Sequence, residues 1–270
     1  MIKYIVSLFL SASIAVACST NTITGRSQFK LLPESELQSM ATQQYQQFLS
    51  SNRVVSSSSN RDAEMVRRVG QRVTRAVEKY YAEKGLSQEL QGYRWEYNLV
   101  DDKAVNAWCM PGGKIVVYTG LLPVTQNEAA LAVVMGHEVT HSIFQHGNER
   151  MSQAIGAEAV GMGLQVALAN KPAQTQNLFY AAYGLGATVG LMLPFSRKHE
   201  LEADRYGLIW TAMAGYNPQE AINLWRRMEQ KGSSNRPPEF LSTHPTEGRR
   251  IEQLHKYMPE AMKYYKPMNQ

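Results

Sequence analysis

Glu128-Ala-Ala-Leu-Ala-Val-Val-Met-Gly-His137-Glu138-Val-Thr-His141-Ser-Ile-Phe-Gln-His146-Gly147 is the stretch whose reading decides the fold. Asn127 before it suits an N-cap, Glu128 suits a first helical turn, and Gly147 stands where a left-handed C-cap is wanted. The spacing therefore predicts one helix over 128–147. Its body is apolar all round, which predicts burial. Inside it, His137 and His141 lie one turn apart, with Cβ atoms roughly 6 Å from each other, a span that one metal ion bridges. Glu138 is turned about 100° from His137, so it borders that ion without binding it. There it can take a proton from a water whose pKa a zinc ion lowers to about 7. The plain alternative is two partnered core histidines beside an ion-paired Glu. Burying three ionisable groups on one apolar helix without a metal is costly, which argues against it.

A catalytic zinc needs a third protein ligand and an open position. Glu200-Leu201-Glu202-Ala203-Asp204 is the best source: Glu200 and Asp204 share a helical face and Glu202 points away. Glu200 is assigned as ligand, and Asp204 as acceptor from the free N–H of a metal-bound imidazole. A solvated acidic face paired with Arg197, Lys198 and Arg205 is the simpler reading of this segment alone. Of the other histidines, His146 is read as a C-terminal cap, because half a helical turn keeps it off the metal. His199 is read as peripheral and His255 as exposed. His244, in Ser242-Thr243-His244-Pro245, sits on a loop able to return over the metal and bond a developing oxyanion, with Arg250 bracing Asp204 or a substrate.

Outward from these motifs the chain reads as mainly α with a small β-hairpin, in one domain. Helices are expected over 34–49, 61–84, 151–169, 178–195, 197–214, 218–231 and 246–258, and a strand over 93–100. Val105–Cys109 and Lys114–Thr119 flank Met110-Pro111-Gly112-Gly113, which suits a type II turn. The hairpin edge at Asn106, Ala107 and Trp108 could take an extended peptide as an added strand, or be purely structural. Ser50–Asn60, with four consecutive serines, reads as a flexible connector.

Residues 1–17 read as a signal peptide: Lys3, then an uncharged apolar run closed by small residues. Ala15-Val16-Ala17-Cys18 resembles a lipoprotein box, making Cys18 the lipidated residue and 18–33 a polar tether before a domain over 34–270. Ser19 after it points to the outer membrane, facing the periplasm. With Cys18 lipidated, Cys109 has no intrachain disulfide partner. The net charge of +5 is spread without a basic run, which speaks against a nucleic-acid partner. Pro172–Ser196 is uncharged and long enough to cross a membrane. A single crossing there would put His141 and Glu200 on opposite sides, and 151–169, with Glu158 and Gln165, makes a poor second span.

Taken together, His137-Glu138-Val139-Thr140-His141, Glu200-x-x-Ala203-Asp204, Ser242-Thr243-His244-Pro245 with Arg250, and Asn106-Ala107-Trp108 before Pro111-Gly112-Gly113 resemble the HtpX and CAAX-prenyl endopeptidase family of gluzincins. Thr24-Gly25-Arg26-Ser27-Gln28-Phe29 resembles its branch of exported bacterial lipoproteins, of the BepA and LoiP kind. The resemblance covers about residues 22–258. It implies a zincin-like fold, one Zn2+ held by His137, His141 and Glu200, Glu138 as general base, and endoproteolysis of cell-envelope proteins that are misfolded or mis-assembled. It also supports His244 and Arg250 as site residues and the hairpin edge as substrate platform. Trp108-Cys109 departs from the Phe-x commoner there. Two other readings stand beside this one: a zinc-stabilised chaperone or assembly factor without turnover, and an intramembrane protease relying on Pro172–Ser196.

Overall fold

The computed structural model describes residues 18–162, 178, 179, 182, 195–232, 238–244 and 249–267. The expected signal peptide, most of the 178–195 helix and the Pro172–Ser196 stretch lie outside the described residues. Among the described residues no helix is long and apolar enough to cross a membrane.

The architecture is mainly α, as the sequence predicts, with two small sheets. In chain order the elements are β1 (Cys18–Thr20), β2 (Ser27–Phe29), α1 (Glu34–Ser51), β3 (Val54–Val55), α2 (Arg61–Glu83), β4 (Glu96–Val100), β5 (Ala107–Met110), β6 (Lys114–Tyr118), α3 (Leu122–Thr125), α4 (Glu128–Ile143), α5 (His146–Met162), α6 (Arg197–Met213), α7 (Glu220–Gly232), α8 (Glu239–Thr243) and α9 (Arg250–Met262). The larger sheet has the order β3-β4-β6-β5, with β4 and β6 parallel and the other pairs antiparallel. The β5–β6 turn forms as expected: Gly112 takes φ 75°, and the Gly113 N–H donates to the Met110 carbonyl at 3.1 Å. This leaves β5 as an edge strand, laid along α4, where Ser142 Oγ donates to the Met110 carbonyl at 2.9 Å.

Helix α4 is the core of the domain. Asn127 caps it, accepting from the Ala130 N–H at 2.8 Å, and residues 130–143 are all buried. The valine stripe of α2 (Val66, Val69, Val73, Val77) covers one side and α6 crosses the other. At that crossing Gly136 and Gly207 meet backbone to backbone: a Cβ on Gly136 would lie 2.8 Å from the Gly207 carbonyl oxygen. Trp210 locks the crossing by donating from its indole N–H to Thr140 Oγ1 at 2.9 Å.

Four expectations need revision. The 128–147 helix is two helices, because Gln145, not Gly147, takes the left-handed conformation (φ 55°), and α5 starts at His146. The Gln145 side chain at this turn accepts from Lys30 Nζ at 2.8 Å. Residues 18–33, read as a tether, form the β1–β2 hairpin and pack on the domain with Gln28 buried, since their polar groups find partners on distant helices. The 50–60 connector contributes β3 to the sheet edge. The last helix begins at Arg250 and runs through Pro259 to Met262, and short α8, unforeseen, delivers His244.

Candidate metal centre

His137, His141, Glu200 and His244 converge. All four are buried, and one potential donor atom from each lies within 4.8 Å of the others. His137 Nε2 is 3.0 Å from His141 Nε2 and 3.2 Å from His244 Nδ1. Glu200 lies 3.6 Å from His137 Nε2, 3.4 Å from His141 Nε2 and 2.9 Å from His244 Nδ1. Donors about 2.0–2.1 Å from a tetrahedral zinc are separated by about 3.3 Å. The separations here, 2.9–3.6 Å, bracket that spacing, with Glu200 reaching His137 through Oε2 and the other two histidines through Oε1, so the set suits zinc in chemistry and size.

Local sequence explains the convergence. The turn-apart histidines stack down one face of α4, and Ser196 starts α6 by accepting from the His199 N–H at 3.3 Å, so Glu200 falls in its first turn. The close Gly136–Gly207 contact then brings the two faces together. Asp204, one turn after Glu200, has Oδ1 3.1 Å from His137 Nδ1. Arg250 bridges the acidic pair, donating to Asp204 Oδ1 at 2.6 Å and Glu200 Oε2 at 2.8 Å, with its guanidinium 3.5 Å over Trp225. It is buried and acts on protein carboxylates. His244 stands inside the donor group, with Nε2 3.3 Å from Glu138 Oε1. That is nearer to the metal position than the oxyanion role requires.

Burial sets the electrostatics. It pushes the Glu138 carboxyl well above its usual range, reinforced by the Glu200 charge. Burial also pulls His141 well below its ordinary value and His244 and His146 down to about 4. All three imidazoles are thus neutral at physiological pH, as metal ligation requires. For Glu200, burial works upward, and its contacts with His244, the Arg250 guanidinium, His137 and His141 outweigh it, holding the carboxyl well below its usual range.

Asn106, Ala107 and Trp108 line a cleft shared with Glu138, His141 and His244. Arg150 and Phe195 also line it, the guanidinium 3.6 Å over the ring, and sequence reasoning named neither. Two histidines sit elsewhere than expected. His146 is fully buried, with Nδ1 3.0 Å from His141 Nδ1, because the break at Gln145 turns it back toward α4. His199, read as peripheral, is buried, stacked on His146 at 4.4 Å between centroids and bonded to Glu149 at 3.0 Å. Nothing in the spacing signals either, since both depend on that break. His255 is exposed, as expected.

The family model described as Peptidase family M48 matches residues 67–258. Among curated proteins, the mitochondrial metalloendopeptidase OMA1 of Schizosaccharomyces pombe is 34% identical over 190 residues, 70% of this chain and 53% of the relative. Human OMA1 is 29% identical over 66% of this chain and 34% of its own length. The β-barrel assembly-enhancing protease of Escherichia coli is 32% identical over 56% of this chain and 32% of its own length. The chain thus spans half or less of the length of these relatives, apart from the slightly larger share of the fission-yeast one.

Proposed function

The chain belongs to peptidase family M48, and from that premise we propose that it is a zinc endopeptidase, with His137, His141 and Glu200 holding the metal and Glu138 acting as general base. The observation that carries the proposal is the spacing of the donors from α4, α6 and the turn after α8, with a buried carboxyl beside them.

What the metal supplies when bound is Lewis acidity toward water and toward a peptide carbonyl. The protein does the rest. A peptide lies extended along the free edge of β5, where Asn106, Ala107 and Trp108 fix its register. Glu138, whose burial raises its affinity for a proton, accepts one from the attacking water and returns it to the leaving amide nitrogen. Asp204 fixes the His137 tautomer by accepting from Nδ1–H, and Arg250 positions both carboxylates of α6. With zinc taking its three protein ligands from His137, His141 and Glu200, His244, whose Nε2 is 3.3 Å from Glu138 Oε1, would offer its ring N–H to the oxyanion.

The test is digestion of casein by the zinc-loaded chain, with and without chelator, beside Glu138→Gln. The variant should fold, bind one zinc and leave casein intact. A purified, zinc-replete Glu138→Gln that still cuts would refute the role of Glu138. Zinc binding without chelator-sensitive cleavage by the parent chain would favour the chaperone reading.

The biological setting follows from the N-terminal sequence. We place the protein outside the cytoplasm, held through a lipid on Cys18 at the outer membrane and facing the periplasm, with misfolded or mis-assembled envelope proteins as substrates. The Escherichia coli relative, named for β-barrel assembly, is consistent with that class. Cys18→Ser should shift the protein from the membrane to the soluble fraction, and unchanged fractionation would overturn the anchor.

A further inference from the structure

The second face of His141 leads away from the metal into a chain of hydrogen bonds whose polarity is fixed at every link. His141 Nε2 is its metal-facing atom, so its proton sits on Nδ1. That N–H donates to His146 Nδ1 at 3.0 Å, which must therefore be bare. The His146 proton then lies on Nε2 and is donated to Glu202 Oε2 at 2.9 Å. Glu202 Oε1 accepts from Arg26 Nε at 2.8 Å. The far side of the Arg26 fork grips both oxygens of Glu149, at 2.8 and 2.5 Å. Glu149 also accepts from His199 at 3.0 Å and from Gln28 at 3.1 Å. The Gln28 amide donates in addition to the Phe144 carbonyl at 2.7 Å, just past the end of α4.

Arg26 thus ties a carboxylate of α5 to a carboxylate of α6. Its own placement is built into the β1–β2 turn. There the Asn21 side chain accepts from the Ile23 and Thr24 N–H groups at 3.0 Å each, and Gly25 takes φ 71°. This turn lies well before residue 67, where the family match begins.

We propose that Arg26 is a positioning residue for the zinc ligand His141, acting through Glu202 and His146, so that the N-terminal hairpin completes the metal centre from outside the family-matched region. Gln28 and Glu149 brace it. The inference rests on the metal-centre reading above. Direct hydrogen-bond partners of a metal-bound imidazole typically govern metal affinity about 10–100-fold, and Arg26 acts on that partner through Glu202.

The experiment measures zinc affinity of the full chain by competition with a chromophoric chelator, with the Co2+ absorption spectrum as a second readout. His146→Phe should weaken zinc binding about tenfold or more, Arg26→Ala should weaken it by a smaller but measurable factor, and both should alter the Co2+ bands. His146→Gln, which can accept from His141 and donate to Glu202, should stay within about threefold of the parent. In the His146→Phe background, Arg26→Ala should have no further effect on zinc, because its route is already cut. If Arg26→Ala does not fold, Arg26→Lys stands in: it keeps the charge but cannot fork to both carboxylates, and should lose part of the affinity. Parent-like zinc affinity in the folded Arg26 variant, or an equal loss in both backgrounds, overturns the proposal. His141→Ala is the control, since parent-like zinc binding there would show the metal-centre reading itself at fault.

Discussion

Alanine at Gly207 tests whether the helix crossing sets the ligand geometry. A Cβ there would come within 2.9 Å of the His137 nitrogen, 3.1 Å of its Cα and 3.2 Å of the Gly136 carbonyl carbon, where ordinary contact is 3.4–4 Å. All three obstacles are backbone, so no side chain can swing aside, and α4 and α6 must part by about half an ångström or more. Metal–donor distances tolerate only about 0.2 Å, and Glu200 rides on the helix that moves. Overpacking of this kind costs about 1–3 kcal/mol, and the better helix propensity of alanine returns up to about 1. A net loss of about 1–2 kcal/mol lowers the melting temperature by about 2–8 °C in a domain of this size. Thermal unfolding and chelator competition on the zinc-loaded chain should therefore show a lower midpoint and zinc affinity weakened about tenfold or more. Gly156→Ala is the matched control: among the described residues its Cβ would meet only the Phe29 ring, at 3.5 and 3.9 Å, so it should be neutral or stabilising by up to about 1 kcal/mol. A Gly207→Ala protein with parent-like midpoint and zinc affinity would refute the reasoning.

Three further outcomes are expected. Asp204→Ala should weaken zinc binding about 10–100-fold, because His137 loses its tautomer-fixing acceptor and Arg250 loses one of its two carboxylates, and chelator competition reads this directly. Burial pushes the Glu34 carboxyl up to about 7, against weaker pulls from Gln38 and Lys30. The folded chain then holds a proton between about pH 4.5 and 7 that the unfolded chain releases, so this group costs stability as pH rises through that window. Glu34→Gln should accordingly match the parent in melting temperature near pH 4.5 and exceed it at pH 8, and equal midpoints at pH 8 would contradict the burial argument. The Cys109 thiol is buried and burial holds it far above its usual range, so iodoacetamide at pH 8 should label it only after unfolding in urea, as peptide mass mapping would show.

What the sequence disclosed was whatever depends on helical periodicity. The i, i+4 pairs 137/141 and 200/204 face as predicted, and Glu202 does point away from the donor group. The valine stripe of α2 is buried, and the Pro-Gly-Gly turn forms. What stayed hidden depends on single backbone choices or distant partners. Gly147 has the residue type of a helix stop, yet the chain turns at Gln145, whose side chain is bonded to Lys30, more than a hundred residues away. The consequences propagate: with one unbroken helix His146 would be a remote cap, and with the break it touches a candidate metal ligand. In the same way 18–33 is polar enough to read as a tether, because the carboxylates that pair with Arg26 are at 149 and 202.

The reversal at Gln145 also changes what the spacing of this segment means. Were α4 to continue as one rod, a residue gained or lost beyond His141 would merely rotate the surface that follows. As built, two residues separate α4 from α5, and His146 at the start of α5 takes its bearing from them. One insertion there would shift the start of α5 against α4, carry His146 out of register and leave the Nδ1 proton of His141 without its acceptor. The five-residue interval from 141 to 146 is therefore as strict a part of the centre as the four-residue interval from 137 to 141.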